Sequence, residues 1–255
     1  MKEPLPEFAF VLSRTRRAQV AEVLRDAIFA GKIAPGTQLV EMKLAHRLGV
    51  SRGSVREAIL ELVEQGLVVS KPYAGTFVIR IDEKALSELF ALRKVLDRYA
   101  FTMLWPHRDD AYRAEFAARN RAIAQAMETG QRTAAIKAEM HFHSFPYEFC
   151  GDGMLLEVWQ QLAHRIQLCF TVSQTVVFGL PFTKENQRYL SAALGNNLAA
   201  MLAQVDRHLD LGLSAVQRAL KTADQKSREI DALPTDPARA RRTARSVGRG
   251  VGASD

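Results

Sequence analysis

The sequence predicts a mainly α-helical chain in two units, the first closed by a small β-hairpin and the second built of helices alone. Three observations carry that expectation. Apolar residues recur at helical spacing across most of residues 16–221. A single strand, loop, strand pattern falls at 67–79, with Gly66 before it and Gly75 inside it. Past Arg80-Ile81-Asp82 the turn signals thin out, and helical patterns dominate to about Ala223.

Taken in order, residues 1–15 read as a flexible arm. A helix follows over 16–30, with Val20, Val23, Leu24, Ala27 and Ile28 at helical spacing, and Gly31 ends it. Lys32 to Gly36 form a turn, because Pro35 presets its own φ and Gly36 tolerates a positive one. Leu39 and Val40 lead into a second helix whose inner face is Leu44, Ala45 and Leu48, with Gly49 placed to stop it. The third helix starts after Val50. Ser51 is one candidate cap, and Ser54 with Glu57 fits an S-x-x-E capping box. In this helix Val55, Ala58, Ile59, Leu62 and Val63 line one face, while Arg52 and Arg56, four apart, share the opposite one. After Gly66, Leu67 to Ser70 and Thr76 to Ile79 read as two short strands around Lys71-Pro72-Tyr73-Ala74-Gly75. Helix, tight turn, helix and hairpin make the pattern of a winged helix-turn-helix over residues 16–81, a unit that packs one helical face and offers the other to a DNA groove. Residues 82–223 are expected to be an all-α bundle, with helices near 83–105, 109–128, 132–149, 152–178, 184–194 and 197–221. Residues 224–255 form a basic tail; from Pro234 it is rich in Pro, Arg, Gly, Ser and Ala, a disordered composition.

Length and charge bound the function. The 255 residues suffice for two domains, each with its own core. A formal charge of +7 and a pI near 9.6 suit a polyanionic partner, although Arg239, Arg241, Arg242, Arg245 and Arg249 supply much of the excess. Cys150 and Cys169 lack CxxC spacing and read as buried thiols in a reducing cytoplasm. No apolar run approaches the ~20 residues needed to cross a bilayer.

On the third helix, Arg52 and Arg56 can present guanidinium forks to guanine or phosphate. Ser51 and Ser54 can donate to phosphate near the helix N-terminus, where the dipole favours an anion. In the hairpin, Lys71 sits where it could touch the DNA backbone or minor groove, and Gly75 allows the tight turn.

These residues carry a resemblance. Residues 23–79 closely resemble the DNA-binding domain of the GntR family of bacterial transcription regulators, through Leu24 to Ile28, Gly31 to Gly36, Leu39-Val40-Glu41, Leu44-Ala45, Leu48 to Arg52, Val55 to Ala58, Gly66-Leu67-Val68, Gly75 and Val78. Gly53-Ser54 stands where the family often has Thr-Pro, and Gly53 has no side chain to reach a base. Residues 83–221 resemble, more loosely, the helical effector domain (FCD type) of the family's FadR branch. The anchors are Phe90-Ala91-Leu92-Arg93 with Asp97, Glu139 to His143, Gly151-Asp152 before Leu155, Glu185-Asn186 and His208-Leu209.

In many members of that branch an Asp-x-x-x-His pair and two further histidines hold a divalent metal beside a small carboxylate. The resemblance places Glu139 at the Asp position, keeps His143 and His208, and puts Asn186 where the remaining His is expected. It thus implies zinc, nickel or manganese on Glu139, His143 and His208, with Asn a poor ligand for such ions. The alternative is a metal-free polar pocket of hydrogen-bonded core histidines, with Asn186 donating to a ligand. Arg93 and Arg165 are candidates to pair with an effector carboxylate, or else with structural partners.

The expectation is therefore a regulator, in the repressor sense, that binds an inverted-repeat operator in double-stranded DNA as a homodimer and answers to a small carboxylate-bearing effector. Two rivals are an architectural DNA binder without effector and a metal-dependent enzyme carrying a DNA-binding unit. The second lacks any P-loop, GxSxG or HExxH motif.

Overall fold

A computed structural model describes residues 16–172 and 180–231. The expected arm at 1–15, the end of the helix expected to reach 178, and the basic residues from Arg239 lie outside the described residues.

The N-terminal unit is α1 (Arg16–Phe29), α2 (Glu41–Leu48), α3 (Arg52–Glu64) and an antiparallel hairpin of β1 (Val68–Lys71) and β2 (Gly75–Val78). The cap of α3 is decided in favour of Ser51, whose Oγ accepts from the Ser54 amide at 3.1 Å. Ser54 and Glu57 therefore sit inside the helix instead of boxing its start. The hairpin pairs Val68 with Val78 and Lys71 with Gly75, one residue later at its first edge than Leu67 would place it. It also has a neighbour that no period revealed. Gly36 N donates to Val78 O at 2.8 Å, Val78 N to Thr37 O at 3.0 Å and Leu39 N to Thr76 O at 2.8 Å, so the segment before α2 ties onto β2. Val20, Leu24, Ile28, Leu39, Val55, Ala58, Leu62, Leu67 and Val78 close the core beneath α3.

The second unit contains α4 (Glu83–Leu104), α5 (Asp110–Glu128), α6 (Arg132–Phe149), α7 (Gly153–Val172), α8 (Leu180–Leu194) and α9 (Leu198–Asp231). Asp82 and Asp109 cap α4 and α5 by accepting from Ala85 and Tyr112 amides, each at 2.8 Å. A 3-10 turn at Trp105–His107 ends α4 just short of the expected boundary. The last helix continues to Asp231, beyond the expected end of the unit at 223. The core is strongly aromatic: Phe101, Tyr112, Phe116, Phe142, Phe145, Trp159 and Tyr189 are all buried.

The two units meet along α7. Leu168, 1% exposed, belongs to the core of the N-terminal unit although it lies on a helix of the second. Near it, Thr171 Oγ1 donates to Phe29 O at 3.1 Å and the His164 ring stacks on Phe29 at 6.2 Å. Gly66, with φ 70°, completes the join: a Cβ there would lie 2.9 Å from Arg165 Nε, so the guanidinium rests where a side chain would have been.

Candidate functional site

At the N-terminus of α3, Ser51, Arg52 and Arg56 are exposed, while Val55, Ala58, Ile59 and Leu62 are buried on the other side. The Ser51 and Ser54 hydroxyls lie 2.9 Å apart. Arg52 makes no hydrogen bond or ion pair among the described residues. Arg56 does: its Nε and Nη2 donate to the two carboxylate oxygens of Glu41, in the first turn of α2, at 3.0 and 2.9 Å. That bond, before any other influence, holds the Glu41 carboxyl below its usual range. In the wing, the Lys71 ammonium stands 5.6 Å over the Phe77 ring. Gly75, with φ 109°, leaves room for Gln38, whose amide donates to Ala74 O at 3.0 Å; a Cβ at 75 would come within 2.6 Å of it. Gly75 thus gives the wing its shape and offers no side chain of its own to DNA.

The second site is wholly interior. Glu139 and His143, one turn apart on α6, meet His208 from α9. One ligand atom from each lies within 4.8 Å of the other two. Glu139 Oε1 is 2.8 Å from His143 Nε2, and His143 Nε2 is 3.2 Å from His208 Nε2. Yet Glu139 Oε1 has no aligned hydrogen-bond donor. Burial raises the Glu139 carboxyl to about 7, and it drives both histidines well below their usual value, so the cluster favours neutral imidazoles. Asn186 of α8 donates its Nδ2 to Glu139 Oε2 at 2.6 Å, and its Oδ1 is buried without a partner. The amide hydrogen expected for a ligand is therefore engaged with Glu139, and the unmet atom is an acceptor.

Arg93 lies alongside. It is 2% exposed, its Nε stands 3.6 Å from Asp97 Oδ2, and its guanidinium lies 5.4 Å from the centre of the Trp159 ring. Nε and Nη2 have no hydrogen-bond acceptor. Asp97 is held by two phenols, Tyr147 donating to Oδ1 and Tyr189 to Oδ2, the latter at 3.3 Å. Burial raises the Asp97 carboxyl against the pull of Arg93 and both hydroxyls. Tyr147 and Tyr189 were not legible as part of a site, since two buried tyrosines in an aromatic core carry no local signal.

Arg165 does not join this cluster. It is exposed at the junction of the units, lining a cleft of about 320 Å³ with Ile79, Arg80, Ile81, Leu89 and Leu162. The two candidate arginines therefore do not share a site: α7 turns residue 165 towards Gly66 and residue 159 towards Arg93. Of the other histidines, His141 is exposed and His164 packs on Phe29.

Sequence comparison adds two matches: the bacterial regulatory proteins, gntR family, over residues 16–78, and the FCD domain over residues 88–211. An HTH-type transcriptional regulator in the TAR-I ttuE-ttuC' intergenic region of Agrobacterium vitis is 31% identical over 147 residues, covering 55% of this chain and 85% of that protein. The chain belongs to the GntR family.

The "Probable D-xylose utilization operon transcriptional repressor" of Paenarthrobacter nicotinovorans is 29% identical over 170 residues, 64% of this chain and 73% of that one. Among solved structures, a GntR transcriptional regulator from Rhodococcus sp. RHA1 superposes with a TM-score of 0.70 at 27% identity, over 80% of this chain and 98% of that chain. Escherichia coli McbR/YncC shares the fold, with a TM-score of 0.68 at 20% identity over 81% and 99%. This GntR-family chain is thus a DNA-binding transcriptional regulator with an FCD effector domain, and its family and relatives are regulators rather than enzymes. No helix among the described residues is long and apolar enough to cross a membrane.

Proposed function

We propose that the chain is a repressor that binds an inverted-repeat operator as a homodimer and releases it when a small carboxylate-bearing metabolite enters the helical unit. The observation that carries the DNA half is the division of α3, with Ser51, Arg52, Ser54 and Arg56 at its solvent-facing start and its apolar side buried beneath. Lys71 extends the cationic surface onto the wing. Dimerisation is supported by α4, where Leu92, Val95, Tyr99 and Met103 form an exposed apolar stripe at intervals of three to four residues; α7 also exposes Met154 and Val158.

For the effector, Arg93 offers buried donors without acceptors, a costly state that a carboxylate would relieve. Asn186 Oδ1 offers an acceptor in the same interior. The donor set of Glu139, His143 and His208 fits a divalent ion. Ligand atoms about 2.0–2.1 Å from one metal stand about 3 Å apart, and the separations here are 2.8 and 3.2 Å between atoms that are not aligned as donor to acceptor for the carboxylate. These three residues would hold zinc, nickel or manganese, with Asn186 orienting Glu139. When bound, the ion supplies a Lewis-acidic partner for an anionic ligand. Signal transmission then runs through α7: Trp159 stacks on Tyr147 at 4.2 Å and lies under Arg93, while Leu168 and Arg165 reach the core and the α3 end of the DNA-binding unit.

Selection of sites from a randomised duplex pool tests the central reading. Enrichment of an inverted repeat with half-sites about one helical turn apart, or a multiple of it, is expected; enrichment of a lone asymmetric site, or of nothing, refutes it. Elemental analysis of protein purified without chelator or nickel resin tests the ion, with stoichiometric zinc, nickel or manganese expected and its loss in His208→Ala.

A further inference from the structure

The bond between Arg56 and Glu41 is not explained by the stability of the fold. Arg56 is 61% exposed, so water and salt screen the pair, and even its bidentate geometry makes it a modest contributor to stability. It does, however, decide what Arg56 can do. A guanidinium has two bidentate edges, the side formed by Nε and Nη2 and the end formed by Nη1 and Nη2. Glu41 takes the side edge with both its oxygens. The end edge remains, its direction set because the side chain has given up most of its rotamer freedom. A guanine offers O6 and N7 in the major groove at the spacing such an edge matches.

The same carboxylate acts against the competing mode. Phosphate would have to approach Arg56 beside an anion, whereas Arg52, one turn earlier on the exposed side, has no carboxylate bonded to it among the described residues. The start of α3 therefore presents one guanidinium bonded to a carboxylate and oriented, and one, Arg52, that feels Glu41 only through space and keeps all its donors for phosphate. We propose that Glu41 is a positioning residue for base recognition, holding the side edge of Arg56 so that its end edge reads a guanine and does not clamp the backbone. This rests on the reading above that the exposed start of α3 faces DNA.

The probes are the duplex that the full-length chain selects from a randomised pool, that duplex with each base pair replaced in turn, and an unrelated duplex of equal length. Glu41→Gln keeps the shape and removes the charge. It is expected to cut discrimination about tenfold at one guanine in each half-site, within the range one bidentate contact provides. Discrimination elsewhere is expected to hold, binding to the unrelated duplex to tighten, and its salt dependence to steepen by about one counterion per half-site. On an Arg56→Ala background the same change should do nothing at that guanine. If Glu41→Gln leaves every position as selective as before while Arg56→Ala flattens one, Arg56 reads a base without Glu41 and the inference is overturned. A parallel loss of both duplexes with a lower melting midpoint would make Glu41 merely structural, which also overturns it. If Arg56→Ala leaves all positions intact, the DNA-facing role of Arg56 fails first, and this inference with it.

Discussion

Leu168→Ala separates the join between the two units from the stability of either one. Leu168 is 1% exposed and lies in the N-terminal core although α7 belongs to the helical unit. Truncation to Ala removes three carbon groups, worth about 2.4 kcal/mol in transfer at roughly 0.8 kcal/mol each. The cavity left behind adds to this, so a total near 3 kcal/mol is expected, at the low end of buried Leu truncations. Were the chain to melt as one cooperative body, that loss would lower its midpoint by about 6–12 °C. The lost contacts, however, are those between units; Thr171 to Phe29 and His164 on Phe29 remain as polar and ring contacts. Calorimetry is therefore expected to resolve two transitions in Leu168→Ala, with the N-terminal unit melting first. Binding of the pool-selected duplex below that first transition should be retained, because no residue of the exposed start of α3 has been touched. A melting profile indistinguishable from the parent would refute the reasoning, since it would mean that the side chain does not fill that core.

Other outcomes follow from the same geometry. Arg93→Met leaves Asp97 buried with only the hydroxyls of Tyr147 and Tyr189, and should cost about 3–5 kcal/mol in urea unfolding; adding Asp97→Asn should recover part of it. Val95→Asp with Met103→Asp places charge on the exposed stripe of α4, and sedimentation is expected to find a dimer for the parent and a monomer for the variant; a monomeric parent would refute the proposed dimer. Burial raises the Cys169 thiol to about 12, so thiolate, and with it reaction with a thiol reagent, should be negligible in the folded chain up to pH 9 and appear on unfolding. Rapid labelling of Cys169 in the native protein at pH 8 would contradict its placement.

Much of the candidate site was legible because its signals are local. The spacing of Arg52 and Arg56 against Val55, Ala58 and Ile59 dictates which side of α3 is wet, and Glu139 with His143 shares a helical face whatever surrounds it. The resemblance added His208 and Asn186, which spacing alone could not bring to Glu139. Glu41 was missed as a functional residue: fifteen positions separate it from Arg56, and only the angle between α2 and α3 closes that distance. Ser51 against Ser54 as the cap likewise needed the backbone dihedrals, since both offer a hydroxyl at the correct place.

By itself, then, the amino-acid order determined the elements, the buried side of each and the family-bearing motifs, because helical and extended periods depend on neighbours within a few residues. Which element each outward or inward face meets is a property of the assembled chain. That assembly alone sent Leu168 into the other unit's core, turned Arg165 away from Arg93, placed the phenols of Tyr147 and Tyr189 on Asp97, and bonded Glu41 to Arg56. The physical reason is that a side chain's partner across helices is set by packing angle and register between distant segments, and neither is encoded in the spacing along either segment.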